Sequence, residues 1–192
     1  TQVTAFTNAV AACMTNDIAQ QYVRAHPRAG THLEIELPEL PPTLMARATG
    51  NADVPRVSIF FPRNYTMTRT FPLLIFLKGS TGGNGRGLED PRRITRERDF
   101  ICMTAPLFKN RLEPLNKKQS NYWMRLALVE DDSDVLWSAY RHLLPRVFNT
   151  VTNIDRRRVF FGGFSNGGHA TAILLNRSGL ELTNYADKVA ET

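Results

Sequence analysis

The stretch that decides the fold is Arg158-Val159-Phe160-Phe161-Gly162-Gly163-Phe164-Ser165-Asn166-Gly167-Gly168-His169. An apolar, β-branched and aromatic run enters it, small residues occupy its middle, and a helix-compatible segment to Leu175 leaves it. Gly163 and Gly167 stand two residues either side of Ser165, the G-x-S-x-G spacing of a sharp strand-to-helix turn whose crowded flanks exclude side chains. Such a turn holds the serine in a strained backbone conformation with Oγ exposed beyond the sheet. It also aims the N-terminus of the following helix at the serine, which favours negative charge developing there.

The chain before this turn reads as alternating strands and helices. Leu33, Ile35 and Leu37 alternate with Glu34 and Glu36, the pattern of a strand with one wet face. Val57 to Pro62 is a second strand, and Pro72-Leu73-Leu74-Ile75-Phe76-Leu77 is an unbroken apolar run expected to be buried on both faces. Phe100 to Ala105 forms a further buried strand. A helix follows, with Asp131, Asp132 or Ser133 as candidate caps and Leu136, Tyr140, Leu143, Leu144, Val147, Phe148 and Val151 as its stripe. Pro145 lies inside that stripe and is expected to kink or split the helix. Asp132 and Asp134 read as charges favourable to the helix dipole. Together these elements predict an α/β fold with a mainly parallel sheet and flanking helices. The expected division is an N-terminal helix (Val3 to Val23) and extended segment over 1–56, then the α/β unit over 57–192.

The loop after the Leu73 to Leu77 run, Gly79-Ser80-Thr81-Gly82-Gly83-Asn84-Gly85-Arg86-Gly87, is dense in glycine. In a serine hydrolase the backbone N–H after the nucleophile, here that of Asn166, is one oxyanion donor, and a second comes from such a loop. Gly79 and Ser80 are the candidates for that second donor. A phosphate cradle is a poor fit, because the lysine of the G-x-x-x-x-G-K-[ST] motif is absent.

With 42% hydrophobic and 22% charged residues, the 192-residue chain has ordinary globular composition and no internal repeat. The formal charge of +6 raises a nucleic-acid reading. Its distribution argues against one: Arg92-Arg93 and Arg96 sit beside Glu89, Asp90, Glu97 and Asp99, and Arg156 to Arg158 beside Asp155. Cys102 lies in an apolar run and reads as a buried free thiol, and neither it nor Cys13 has neighbours that would hold a metal. No apolar run reaches the length of a membrane helix. The numbering opens on Thr1 with a small, apolar segment, which leaves a trimmed secretory or periplasmic product open.

The order of motifs resembles the polyhydroxybutyrate depolymerase and feruloyl esterase branch of the α/β-hydrolases. The resemblance is carried by Pro72 to Gly79, Gly82-Gly83-Asn84, Asn153-Ile154-Asp155 and Val159 to His169, and covers Val57 to Asn176. It implies a serine esterase with Ser165 as nucleophile, an ester as substrate and no cofactor or metal. Members of that branch commonly carry histidine before the oxyanion glycine, where this chain has Lys78.

Such hydrolases order their triad as Ser, then acid, then His. After Ser165 come Glu181, Asp187 and Glu191, yet the only histidine, His169, precedes all three. The resemblance therefore implies a fold incomplete at its C-terminal side, with acid and base encoded beyond Thr192. His169, one helical turn past Ser165, is a candidate pocket residue, with general base as its alternative role. The rival reading is a non-catalytic hydrolase-like module that binds a ligand or partner, and a basic polyanion binder ranks below it. A sheet ending near Val159 to Gly162 would leave an edge open to self-association.

Overall fold

The structure, a computed structural model, describes residues 27–48, 54–79, 87–110 and 132–190, with side chains described through 178. The helix expected over Val3 to Val23, Ser80 and the rest of the glycine-rich loop to Arg86, Cys13, and the Tyr122 and Trp123 region fall outside these residues.

Among the described residues, the apolar runs read above as strands form strands. β1 (His32–Glu36), β2 (Arg56–Phe60), β3 (Phe71–Leu77), β4 (Ile101–Thr104) and β5 (Ile154–Gly163) form one sheet in the order β1-β2-β4-β3-β5. The sheet is mixed. β1 with β2 and β2 with β4 are antiparallel, while β3 lies parallel to β4 on one side and to β5 on the other. The segment before Val57 thus supplies a strand to the same sheet, with Ile35 opposite Val57. β5 begins five residues before the apolar run Val159–Phe161 because Ile154 already pairs with Phe71, and a register shift between Phe71 and Leu73 absorbs the polar residues in between.

Strand periodicity divides the sheet into two faces. Leu33, Ile35, Val57, Ile59, Leu73, Ile75, Leu77, Ile101 and Met103 point to one, where they join Leu136, Ala139, Tyr140, Leu143 and Val147 of α3 (Ser133–Thr150) and Ala170 and Leu174 of α4 (Asn166–Ala190) in a single buried core. On the other face α2 (Glu89–Ile94) lies against β3 and β4, and Arg92 stacks its guanidinium 4.5 Å from the centre of the Phe60 ring. Beyond α2 that face is more open. Phe160 of β5 is 49% exposed, and among the described residues β5 pairs only with β3.

Pro145 neither splits α3 nor ends it; one helix runs through from Ser133 to Thr150. Asp132 is the residue before α3, but its carboxylate makes no capping bond. It turns instead into a buried polar junction: Asp132 accepts the Asn110 N–H at 2.6 Å and lies 3.7 Å from the Lys109 ammonium, both side chains almost wholly buried. The same segment bonds to the end of the first short helix, α1 (Pro42–Met45), through Lys109 N–H to the Arg47 carbonyl. Asp132 thus stands at the head of the helix as expected, without a capping bond, and also forms an ion pair that anchors α3. Asp134 faces out and pairs with Arg177 of α4.

Asn153 fastens the loop before β3 to the start of β5. Its side chain accepts the Tyr65 hydroxyl at 3.1 Å and donates to the carbonyls of Met67 and Arg69, while its own carbonyl accepts the Phe71 N–H. Beside it Phe61 meets Tyr65 edge to face and Tyr65 stacks on Phe71, with centroids 5.0 and 5.3 Å apart. Cys102 is the buried free thiol that its apolar neighbours implied, and burial pushes its pKa up. Among the described residues no helix is long and apolar enough to cross a membrane.

Candidate active site

The parallel pairing of β3 with β5 brings two chain segments to the same end of the sheet. Leu77 is opposite Gly163, and the Phe164 N–H donates to the Leu77 carbonyl at 3.1 Å, so the turn after β5 closes directly beside the residues after β3. Ser165 tops that turn. Its φ is +53°, in the left-handed region that a side chain occupies at a cost of about 1–2 kcal/mol. Three bonds around the turn offset that cost: Gly167 N–H to the Phe164 carbonyl, and the N–H groups of Gly168 and His169 to the Ser165 carbonyl, at 2.8–3.1 Å.

Close backbone approach explains the flanking glycines. A Cβ on Gly163 would lie 2.3 Å from the Gly167 carbonyl oxygen, and one on Gly167 would lie 1.8 Å from that of Leu77. Neither neighbour is a side chain that could swing aside. Gly79 belongs to the same contact. A Cβ there would fall 2.9 Å from the Phe164 carbonyl oxygen and 3.0 Å from Ser165 Cβ, so the backbone of the glycine-rich loop begins against the serine itself.

Ser165 is exposed, Asn166 half-buried and the adjoining Phe164 72% exposed. Asn166 opens α4, which places its backbone in the first turn of a 25-residue helix. Of the residues singled out from sequence, Ser165, Asn166, Gly79 and His169 converge here, while Ser80 lies outside the described residues. His169 is on the first turn of α4 with an exposed side chain. Among the described residues no side chain hydrogen-bonds the Ser165 hydroxyl.

The Lys78 backbone packs against the turn, but its side chain leads away from it. Its side chain bends over Gly87 (φ +107°), where an added Cβ would meet Lys78 Cδ at 2.8 Å, so it spans the two ends of the glycine-rich loop. This contact has no local sequence signature, since it depends on where the loop returns.

No protein-family model matches the chain, and no curated protein matches it significantly. Solved structures do. An S-formylglutathione hydrolase from Agrobacterium tumefaciens superimposes with a TM-score of 0.50 at 18% identity, over 77% of this chain and 54% of its own. A ferulic acid esterase from Anaeromyces mucronatus matches with a TM-score of 0.43 at 12% identity, over 76% and 52% of the two chains. A putative acetyl xylan esterase from Bacteroides fragilis gives 0.44 at 14%, over 82% and 48%. The chain thus spans about half the length of the solved proteins it matches.

Proposed function

We propose that this chain, which has the α/β-hydrolase fold of the Agrobacterium hydrolase it superimposes on, carries the nucleophile and oxyanion site of a carboxylic ester hydrolase. The observation behind this reading is the convergence at the end of β3 and β5. A serine held at φ +53° at the head of a helix lies against the glycine that starts a glycine-rich loop. That combination of an exposed hydroxyl, a helix N-terminus and unobstructed backbone suits acyl transfer.

In the proposed reaction Ser165 Oγ attacks the ester carbonyl carbon while its proton passes to a histidine base. The carbonyl oxygen becomes an oxyanion, held by the Asn166 N–H and by an N–H of the Gly79–Ser80 segment. Collapse expels the alcohol, which takes the proton from the base, and leaves an acyl group on Ser165. Water, deprotonated by the same base, then releases the acid and restores the serine. The acid-and-histidine pair of this mechanism is assigned to sequence outside these 192 residues, since no histidine follows an acid after Ser165.

The 192-residue chain should therefore hydrolyse p-nitrophenyl acetate slowly, by residual oxyanion stabilisation with an unactivated serine. Supplying the chain in a longer polypeptide that adds an acid and then a histidine should raise turnover by about a thousandfold or more, and Ser165→Ala should remove that gain. Equal rates for Ser165→Ala and the parent in that longer polypeptide would refute the assignment. Fast turnover by the 192 residues alone, lost in His169→Ala, would instead locate the base at His169.

The same reading proposes association through the β5 edge, which has one paired and one unpaired side among the described residues. Sedimentation velocity of the 192-residue chain should show mass rising with concentration. A compact monomer across the micromolar range would rule this out.

A further inference from the structure

At the other end of the sheet from Ser165, the chain from α2 to β4 frames a cleft of about 540 Å³ lined by Arg63, Arg92, Arg93, Arg96 and Arg98, with Glu89 and Glu97. Because β3, β4 and β5 are parallel, a cleft at the approach to β4 cannot share the site at the carboxyl ends of β3 and β5. Five guanidinium groups against two carboxylates give the lining a net positive charge.

The carboxylates of this region mostly serve the turn itself. Glu97 is bonded by both Arg92 and Arg63, which hold its carboxyl below the usual carboxylate range. Asp99 accepts from Asn64 and Arg69, and Asp90 from Arg93. Arg96 and Arg98 are left exposed, with no ion pair among the described residues.

The backbone supplies an independent observation. Helix α2 ends in the two bonds of a Schellman cap, Glu97 N–H to the Arg92 carbonyl at 2.9 Å and Arg96 N–H to that of Arg93 at 3.2 Å. The left-handed position of such a cap is one that glycine fills without strain, yet here Arg96 occupies it at φ +51°, followed by Glu97 at +57° and Asp99 at +62°. An arginine where glycine would be more stable gives up local stability and gains a guanidinium in the cleft. Non-glycine residues in strained conformations collect at binding sites for this reason.

We propose that the cleft between α2, Arg63 and the 95–99 turn binds a tetrahedral oxyanion, a phosphate or sulfate group on a small carrier, with Arg96 and Arg98 as its principal ligands. Guanidinium forks match the oxygens of such a group in pairs, and the cleft has room for the group together with its carrier.

The test is isothermal titration of the 192-residue chain with glucose 6-phosphate and, separately, with glucose 6-sulfate, at fixed ionic strength. Saturable binding of either supports the site, and the tighter probe identifies the source of the oxyanion. Arg96→Gly should raise Tm while weakening binding about tenfold, the size expected for losing one charge-assisted contact. Arg98→Gln should weaken binding similarly with Tm unchanged, and Arg156→Gln, on β5 and outside the cleft lining, should leave binding unchanged. An Arg96→Gly variant that binds as tightly as the parent, or binding that Arg156→Gln weakens as much, would overturn the proposal. So would the absence of saturable binding by both probes. None of these outcomes depends on ester hydrolysis.

Discussion

Gly167→Ala is expected to destabilise the fold by about 3 kcal/mol or more, while Gly168→Ala, one residue on, should be neutral or stabilising by up to about 1 kcal/mol. The contrast follows from what each new methyl would meet. At position 167 it would fall 1.8 Å from the Leu77 carbonyl oxygen and 2.9 Å from that of Lys78, both main-chain atoms of β3 and its exit. Relief requires α4 to move off β3, which would open the core around Ala170 and Leu174. At position 168 the nearest atom is the Gly163 carbonyl oxygen at 3.6 Å, an ordinary contact, and alanine is the better helix former there. Urea unfolding followed by circular dichroism measures both. A midpoint for Gly167→Ala within error of the parent would mean that the turn does not pack against β3 as described.

Asp132→Ala should cost about 3–5 kcal/mol, the range for removing one member of a buried ion pair. The substitution withdraws a carboxylate from the Lys109 ammonium, whose side chain is only 8% exposed, and from the Asn110 N–H. Lys109→Met with Asp132→Leu together should recover part of that loss, because neither charge then remains buried. A double-mutant cycle on unfolding free energies isolates the coupling. Additive effects of Asp132→Ala and Lys109→Ala would show that the two groups do not interact.

Hydrophobic pattern made the strands legible. Runs as continuous as Leu73 to Leu77 and Phe100 to Ala105 have few alternatives to a buried strand, and they became β3 and β4. The strand-turn-helix around Ser165 was legible for a steric reason, since few backbones need glycine two residues either side of a serine. Strand direction was not legible. Nothing in Val57 to Pro62 says that it runs against β4, because the pairing partner is forty-odd residues away and both faces of the run are apolar. At Pro145 the missing N–H and fixed φ could not tell a kink from a split; the helix runs through it in one piece, with Leu143 and Val147 buried on either side. Asp132 read as a helix-end charge because its real partner, Lys109, is near it only once the sheet has formed. For the site, sequence indicated the serine and the neighbouring backbone groups, whereas the bend of Lys78 over Gly87 and the arginine cleft depend on how loops return and so had no local signature.

The position of β3 in the sheet sets a schedule for synthesis. Its first parallel neighbour, β4, emerges soon after it, but Leu73 and Leu74 wait for Val159 and Phe160, roughly eighty-five residues later. At about 5–20 residues per second that is a delay on the order of ten seconds. During it the most apolar strand of the protein has one edge without a hydrogen-bonding partner, and Ile75 and Leu77 lack the cover of α4. Charged neighbours that could discourage a stray strand lie outside Phe71 to Leu77 itself, at Arg69 and Lys78. The growing chain thus carries an unpaired apolar edge through the interval between the fourth and fifth strands, and conditions that slow translation over Leu136 to Asp155 lengthen the exposure of that edge.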